Sequence, residues 1–182
     1  MVCNLSEVLS IGFNEYLRQY VLVRKFWSAF NLVLLLFLHV GCSPVADCDI
    51  PRQEILNSSS SLHLLDSTGI TWATDPPTSG PHYPIPPNGG YYDFSLSSLE
   101  QVAFLESGGV IVQYLPTNNT ADIKEMISLA SNSVIVSPNK TLDNAVIATA
   151  WTWKLSCKKY ELNGLREFIT EYGGKKLNSH GK

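Results

Sequence analysis

The stretch from 108 to 138 reads GGVIVQYLPTNNTADIKEMISLASNSVIVSP, and it decides the fold of this chain. Two β-branched runs, at 110–114 and 133–137, each have the length of a strand. Between them, apolar residues recur at helical spacing over about 120–130. A strand, a helix and a strand in this order predict two parallel strands joined by a right-handed crossover.

Elements on either side extend this unit into a larger domain. Ahead of it, 95–107 is predicted to be a helix that ends at a double glycine. After it, 145–155 predicts a third strand, antiparallel to the second, with Trp151 and Trp153 on one face. A last helix is predicted over 162–172. The fold class is therefore mixed α/β: a small mixed β-sheet with packed helices, and a βαββα core preceded by a helix and a long, ordered, Pro-rich loop.

The composition argues against a nucleic-acid-binding protein. The 182 residues include 13 Lys and Arg against 16 Asp and Glu, which gives a formal net charge of −3. The basic residues form no patch interleaved with aromatic side chains, so the chain lacks the means to neutralise phosphates. Its length suits one globular domain with appendages.

The N-terminal segment has the pattern of an export leader. Two basic residues, Arg24 and Lys25, precede an apolar run over 26–40, as in a signal peptide. The end of this run resembles a bacterial lipoprotein processing site, at which Cys42 is lipidated and becomes the mature N-terminus. The alternative is an uncleaved anchor with an incidental cysteine. Either arrangement predicts a membrane-attached, extracytoplasmic protein, in the bacterial periplasm or on the cell surface.

Four segments are expected along the chain. Residues 1–42 form the leader, and because its first part is long and mixed in charge we expect translation to start near Val21. Residues 43–61 contain Pro, Asp and a run of Ser, which predicts a flexible tether. Residues 62–174 form a single globular domain, and 175–182 a disordered polar tail.

Two cysteines remain if Cys42 is lipidated and Cys3 lies in the leader. These are Cys48 and Cys157. In an oxidising compartment they can form a disulfide that ties the N-terminal arm to the C-terminal part of the domain. The alternative is a pair of free thiols. The chain has no CxxC, so a thioredoxin-type redox site or a zinc knuckle is not supported.

The segment 75–82 reads DPPTSGPH and predicts a rigid, ordered loop. Its prolines fix φ and remove backbone donors, and Gly80 can take a positive φ between them. The loop ends at His82, which is either a functional residue or a histidine that binds a backbone carbonyl and holds the loop. Two other histidines, His63 in an arm and His180 in the tail, are interpreted as incidental.

This loop and several later strings resemble a known family. They are PPTSGPHYP at 76–84, GYYD at 90–93, LE at 105–106 with Gly108 and Val110, AW at 150–151 and FI at 168–169. Over about 74–174 the chain resembles the bacterial domain of unknown function 3105. That family is found largely in secreted or membrane-attached proteins and has no established activity. The resemblance therefore indicates related proteins but no particular reaction.

The resemblance also implies a histidine site that this chain has only in part. In the family the helix before the double glycine typically reads His-x-Leu-Glu-His-Gly. Two histidines at i and i+4 share a helix face and can hold zinc, with the glutamate as a general base. Here Ala103 and Ser107 occupy the two histidine positions, and His82 and Glu106 remain. A metal centre of that kind is therefore expected to be absent or weakened.

Glu106 is expected near the C-terminus of its helix, where the helix dipole disfavours a carboxylate. A partner such as His82, Ser79 or Thr78 would offset that cost. The alternative is a carboxylate in contact with solvent.

Two functions follow from these residues. The leading interpretation is a non-enzymatic lipoprotein or membrane-anchored binding module. It would bind a protein or small ligand through Thr78, Ser79, His82 and Glu106, without a cofactor. The alternative is a metal-binding protein or metal-dependent enzyme that holds copper or zinc through His82 and Glu106, with His82 the strongest ligand candidate. A Ser79–His82–Glu106 hydrolase triad can also be drawn, but Ser79 lacks the nucleophile-elbow pattern.

Overall fold

A computed structural model describes residues 47–67, 69–117 and 119–174. Their strands form one six-stranded sheet, and the mixed α/β class is confirmed. The elements are β1 (Arg52–Gln53), β2 (Gly90–Tyr91), α1 (Ser98–Glu106), β3 (Val110–Tyr114), α2 (Thr120–Ile127), β4 (Val134–Pro138), β5 (Val146–Ala150), β6 (Trp153–Cys157) and α3 (Leu162–Tyr172).

The strand order is β1-β6-β5-β3-β4-β2. Strands β3 and β4 are parallel, as the strand–helix–strand pattern predicts, with Val110 opposite Val134. The third predicted strand does not lie beside the second. Instead β5 pairs antiparallel with β3, because the far edge of β4 is taken by β2. Strands β5 and β3 are thus the two central strands of the sheet.

The single strand predicted at 145–155 is a hairpin. Thr152 has a φ of 58°, and the chain reverses there between β5 and β6. The backbone N–H of Thr152 donates to the carbonyl of Thr78 at 3.0 Å, so the Pro-rich loop supports this turn. The shared face predicted for the two tryptophans is therefore wrong: Trp151 packs in the cluster beneath α1, and Trp153 packs against the cluster beneath α3.

Each face of the sheet buries its own apolar core. Successive strand residues point to opposite faces, so β3 sends Val110 and Val112 to one side and Ile111 to the other. The first side is covered by α2 and α3, through Met126 and Phe168 among others. The second is covered by α1. The helices thus lie on both faces of a three-layer domain.

Helix α1 has defined ends, which place its last residue beside the Pro-rich loop. At its start, Ser97 Oγ accepts from the backbone of Glu100, and the Glu100 carboxylate accepts from the backbone of Ser97, a capping box. At its end, the hydroxyl of Ser107 donates to the carbonyl of Phe104 at 2.7 Å. Gly108 then takes a φ of 94°, which lets the chain turn tightly into β3.

The described part of the predicted tether at 43–61 is bonded to the domain, first to the edge of β6 and then to the Pro-rich loop. We call residues 47–65 the arm. Strand β1 of the arm pairs antiparallel with β6, and a disulfide joins Cys48 to Cys157. The edge of β6 offers unpaired backbone groups, and an extended segment satisfies them despite its polar composition. The first part of the arm is therefore an edge of the sheet where a tether was expected.

Several predictions concern residues outside the described ranges. The leader over 1–42, the lipidation of Cys42, the start near Val21 and the tail over 175–182 all lie there. Within the described residues, no helix combines the length and the apolar character needed to cross a bilayer. Membrane attachment and extracytoplasmic localisation stay predictions.

Candidate metal centre

The Pro-rich loop holds residue 82 in a fixed frame. Gly80 has a φ of 130°, and a Cβ at this position would lie 2.8 Å from the Trp72 ring, so a glycine is required. The indole N–H of Trp72 donates to the carbonyl of Pro81 at 3.1 Å. These contacts fix the position of the backbone at the following residue, His82.

Both ring nitrogens of His82 have defined neighbours. The side chain is buried, with 1% of its surface exposed. Nδ1 lies 2.9 Å from the carbonyl oxygen of Gly80, and Nε2 lies 2.7 Å from Oε2 of Glu106. A carbonyl oxygen only accepts, so Nδ1 must carry a proton.

The contact between His82 and Glu106 needs a positive charge. Neutral His82 with its proton on Nδ1 presents a lone pair at Nε2, and that lone pair faces a carboxylate oxygen. Among the described residues, Nε2 has no hydrogen-bond partner besides this contact. Two acceptors at 2.7 Å repel each other unless a proton or a metal cation lies between them.

A second imidazole lies beside His82. The backbone N–H of Leu64 donates to the carbonyl of His82 at 2.9 Å, and the N–H of His82 donates to the carbonyl of Leu62 at 3.1 Å. This parallel bridge brings the rings of His63 and His82 together edge to face, with centroids 4.7 Å apart. The interpretation of His63 as incidental is thus corrected: it belongs to the candidate site.

The donor atoms of His63, His82 and Glu106 all lie within 4.8 Å of one another. Two imidazoles and one carboxylate form a donor set that suits zinc, copper(II), nickel or iron. The Nδ1–H to carbonyl contact of His82 is the type that orients a metal-binding imidazole. Two donors on a tetrahedral zinc are separated by about 3.3 Å, so Glu106 must withdraw slightly to admit an ion.

The environment of Glu106 favours a cation at this point. Glu106 is the last residue of α1, and the C-terminus of a helix carries partial negative charge. The carboxylate adds to that charge, and its side chain is 41% exposed, so it can move outward. The partner expected for Glu106 is found at His82, but helix dipole and carboxylate together would stabilise a metal ion as well.

The two other predicted ligand-binding residues, Thr78 and Ser79, have different surroundings. Ser79 Oγ accepts from the backbone N–H of Asn57 at 2.9 Å. Thr78 is buried, and within the described residues its hydroxyl oxygen has no hydrogen-bond partner. Nε2 of His82 faces Glu106 and Nδ1 faces the Gly80 carbonyl, so no ring nitrogen is left for Ser79 and the drawn triad is not assembled.

The helix positions at which the resemblance implies histidines offer no ligand. Ala103 is buried in the core, and the hydroxyl of Ser107 is bonded to its own helix backbone. The second imidazole comes instead from His63 on the arm. The position of His63 beside His82 could not be predicted from the sequence, because it depends on backbone pairing between two irregular segments. A helical repeat, in contrast, would have been visible in the sequence.

A buried lysine, which sequence reasoning did not single out, supports the loop from the sheet. Lys154 on β6 is 3% exposed, and its Nζ donates to the carbonyl of Asp75 at 3.1 Å. Burial lowers the pKa of Lys154 from its ordinary value of 10.5, and the nearby Glu54 carboxylate opposes part of this shift. The positive charge of Lys154 is therefore disfavoured in the folded protein.

Lys154→Met is expected to change how stability depends on pH. The pKa of Lys154 is lower in the folded than in the unfolded chain, so burial costs free energy near neutral pH. That cost is relieved as pH rises from the folded pKa towards 10.5. The variant should be more stable than the parent near neutral pH, with a gain that shrinks at higher pH. Urea unfolding across this range measures the difference, and a gain that grows with pH contradicts the assignment.

A family model described as "Protein of unknown function (DUF3105)" matches residues 63–181. No curated protein and no solved structure matches the chain. The matched range begins at His63 and includes His82 and Glu106, so all three candidate ligands lie within it.

Proposed function

Since the chain belongs to the DUF3105 family, whose description assigns no activity, we propose a function from the site itself: the domain binds one transition-metal ion through His63, His82 and Glu106. The observation that carries this proposal is the 2.7 Å contact between Nε2 of buried His82 and the Glu106 carboxylate, with Nδ1 of the same ring facing the Gly80 carbonyl. A divalent cation satisfies both acceptors, and His63 is in place to complete a three-ligand set.

The donor set favours zinc or copper(II). Imidazole nitrogens bind both ions well, and the carboxylate offsets part of the charge of the cation. Among residues 47–67, 69–117 and 119–174, the group has no fourth His, Cys, Asp or Glu. A coordination position is thereby left for water or an external ligand on the side where His63 and Glu106 are exposed.

We place this activity outside the cytoplasm. The basic and apolar pattern before Cys42 supports export and attachment to a membrane through a lipid or an uncleaved anchor. The Cys48–Cys157 disulfide is consistent with an oxidising compartment. Metal binding there calls for no nucleic-acid partner, in keeping with the absence of a basic patch.

Metal titration of the full chain tests the proposal. The protein is purified without chelator and titrated with Zn²⁺ and with Cu²⁺, and bound metal is quantified. We expect one ion per chain, with binding markedly weakened in His63→Ala and in Glu106→Gln. Glu167→Gln is a matched control that removes an exposed carboxylate from α3 and should bind normally. Failure of the parent chain to bind either ion, or an equal loss in the control, would overturn the proposal.

A proton in place of the ion leads to a different function. His82 and Glu106 would then form an ion pair that holds the Pro-rich loop. A module that binds a protein or small ligand at this loop, the leading interpretation of the sequence, would remain. The same titration separates the two, because the ion pair requires no metal.

A further inference from the structure

We propose that Ser79 is a positioning residue of the metal centre, which holds the arm so that His63 reaches the ion. This inference rests on the proposed metal binding. In this role Ser79 does not bind the metal. It acts through its hydrogen bond with the backbone of Asn57.

Between Glu54 and Leu62 the arm crosses from the β5–β6 turn to the Pro-rich loop. A contact along this crossing is needed to hold it in place. At Glu54 its backbone is still bonded to the β5–β6 turn, through an N–H that donates to the carbonyl of Thr152 at 2.8 Å. At Leu62 it is bonded to His82 in the Pro-rich loop. Between these supports, the N–H of Asn57 donates to Ser79 Oγ at 2.9 Å, which ties the crossing to the loop.

Asn57 sets the position of the residues that lead to His63. Its side-chain oxygen accepts from the backbone of Ser59 at 2.9 Å, and its carbonyl accepts from the backbone of Ser60 at 3.1 Å. The N–H of Leu62 then donates to the carbonyl of Ser59 at 3.0 Å. These bonds make 57–62 a compact turn, so a displacement of Asn57 is carried to His63.

Adjacent residues of one loop thus position both imidazoles. The carbonyl of Gly80 orients His82, and the hydroxyl of Ser79, one residue earlier, holds the turn that carries His63. Ser79 is 4% exposed and Asn57 is half-buried, so water replaces this acceptor only in part. Loss of the acceptor should therefore loosen the arm.

The experiment compares Ser79→Ala with Ser79→Thr in the full chain by Cu²⁺ and Zn²⁺ titration. We expect Ser79→Ala to weaken metal binding about 10-fold, the lower end of the loss that follows removal of a supporting contact around a metal site. Ser79→Thr, which keeps the hydroxyl, should restore binding. In the copper-loaded protein, electron paramagnetic resonance of Ser79→Ala should show loss of one nitrogen coupling, as in His63→Ala.

A double-mutant cycle shows whether Ser79 acts through His63. In a His63→Ala background, adding Ser79→Ala should cause no further loss of affinity. Ser95→Ala is the control for removal of a serine hydroxyl, because Ser95 Oγ donates to the Pro138 carbonyl and has no assigned role at the site. That variant should bind metal like the parent.

The outcomes separate the two proposals. If the parent chain binds no metal, the proposed function fails. If it binds but Ser79→Ala binds equally well, or loses as much affinity without His63 as with it, this inference fails and metal binding stands. Should Ser79→Ala not fold, Asn57→Pro removes the backbone N–H that donates to Ser79 Oγ, and an absence of His63-dependent loss there also overturns the inference.

Discussion

His82→Ala is expected to bind zinc or copper about 1,000-fold more weakly than the parent chain. His82 is the buried member of the ligand set, and its Nε2 is already oriented by the Gly80 carbonyl. Loss of a ligand should exceed the 10–100-fold loss that removal of a supporting contact causes. Competition titration against a chelator of known affinity measures the effect.

A more conservative variant separates ligand loss from damage to the loop. In His82→Asn, the side-chain amide can donate to the Gly80 carbonyl but is too short to bind as Nε2 does. We expect it to keep more of the stability of the parent than His82→Ala and to lose metal binding as completely. Metal binding retained in both variants would mean that His82 is a structural histidine only.

Removal of both disulfide cysteines, Cys48→Ala with Cys157→Ala, is expected to lower the free energy of unfolding by about 4–5 kcal/mol. The bond joins residues 109 apart in sequence, and a cross-link over so long a loop strongly restricts the unfolded chain. Cys157 is also fully buried in the core, so its truncation adds a small packing loss. Urea unfolding of the oxidised parent and the double variant gives the difference.

Reduction of the parent protein is the matched comparison. A dithiol reductant should lower the stability of the parent towards that of the double variant and leave the variant itself unchanged. A loss of about 4 kcal/mol is a large share of the 5–15 kcal/mol that stabilises a typical domain. A double variant within about 1 kcal/mol of the parent would show that the arm is held by its backbone pairing with β6 instead.

The elements predicted most closely by sequence are those with local periodic patterns. The strands at 110–114 and 134–138 and the helix between them follow from β-branched runs and helical spacing. Their parallel pairing also follows, since an intervening helix requires a crossover. The double glycine correctly marked the end of α1.

The hairpin between β5 and β6 was missed for a physical reason. Its turn contains Trp151 and Thr152 and no glycine, proline, asparagine or aspartate. Thr152 adopts a positive φ that a β-branched residue rarely takes alone. The Thr78 carbonyl holds it there, and that contact is remote in sequence.

Local patterns in the chain were therefore enough to determine the βαβ unit, the rigid loop that ends at His82, and the kinship of the domain. Neither the position of the arm nor the full ligand set could be determined that way. His63 meets His82 through backbone pairing of two irregular segments, and Glu106 joins them because α1 packs with its end at the loop. Periodicity describes contacts within one element, whereas this candidate site consists of contacts between three separate segments.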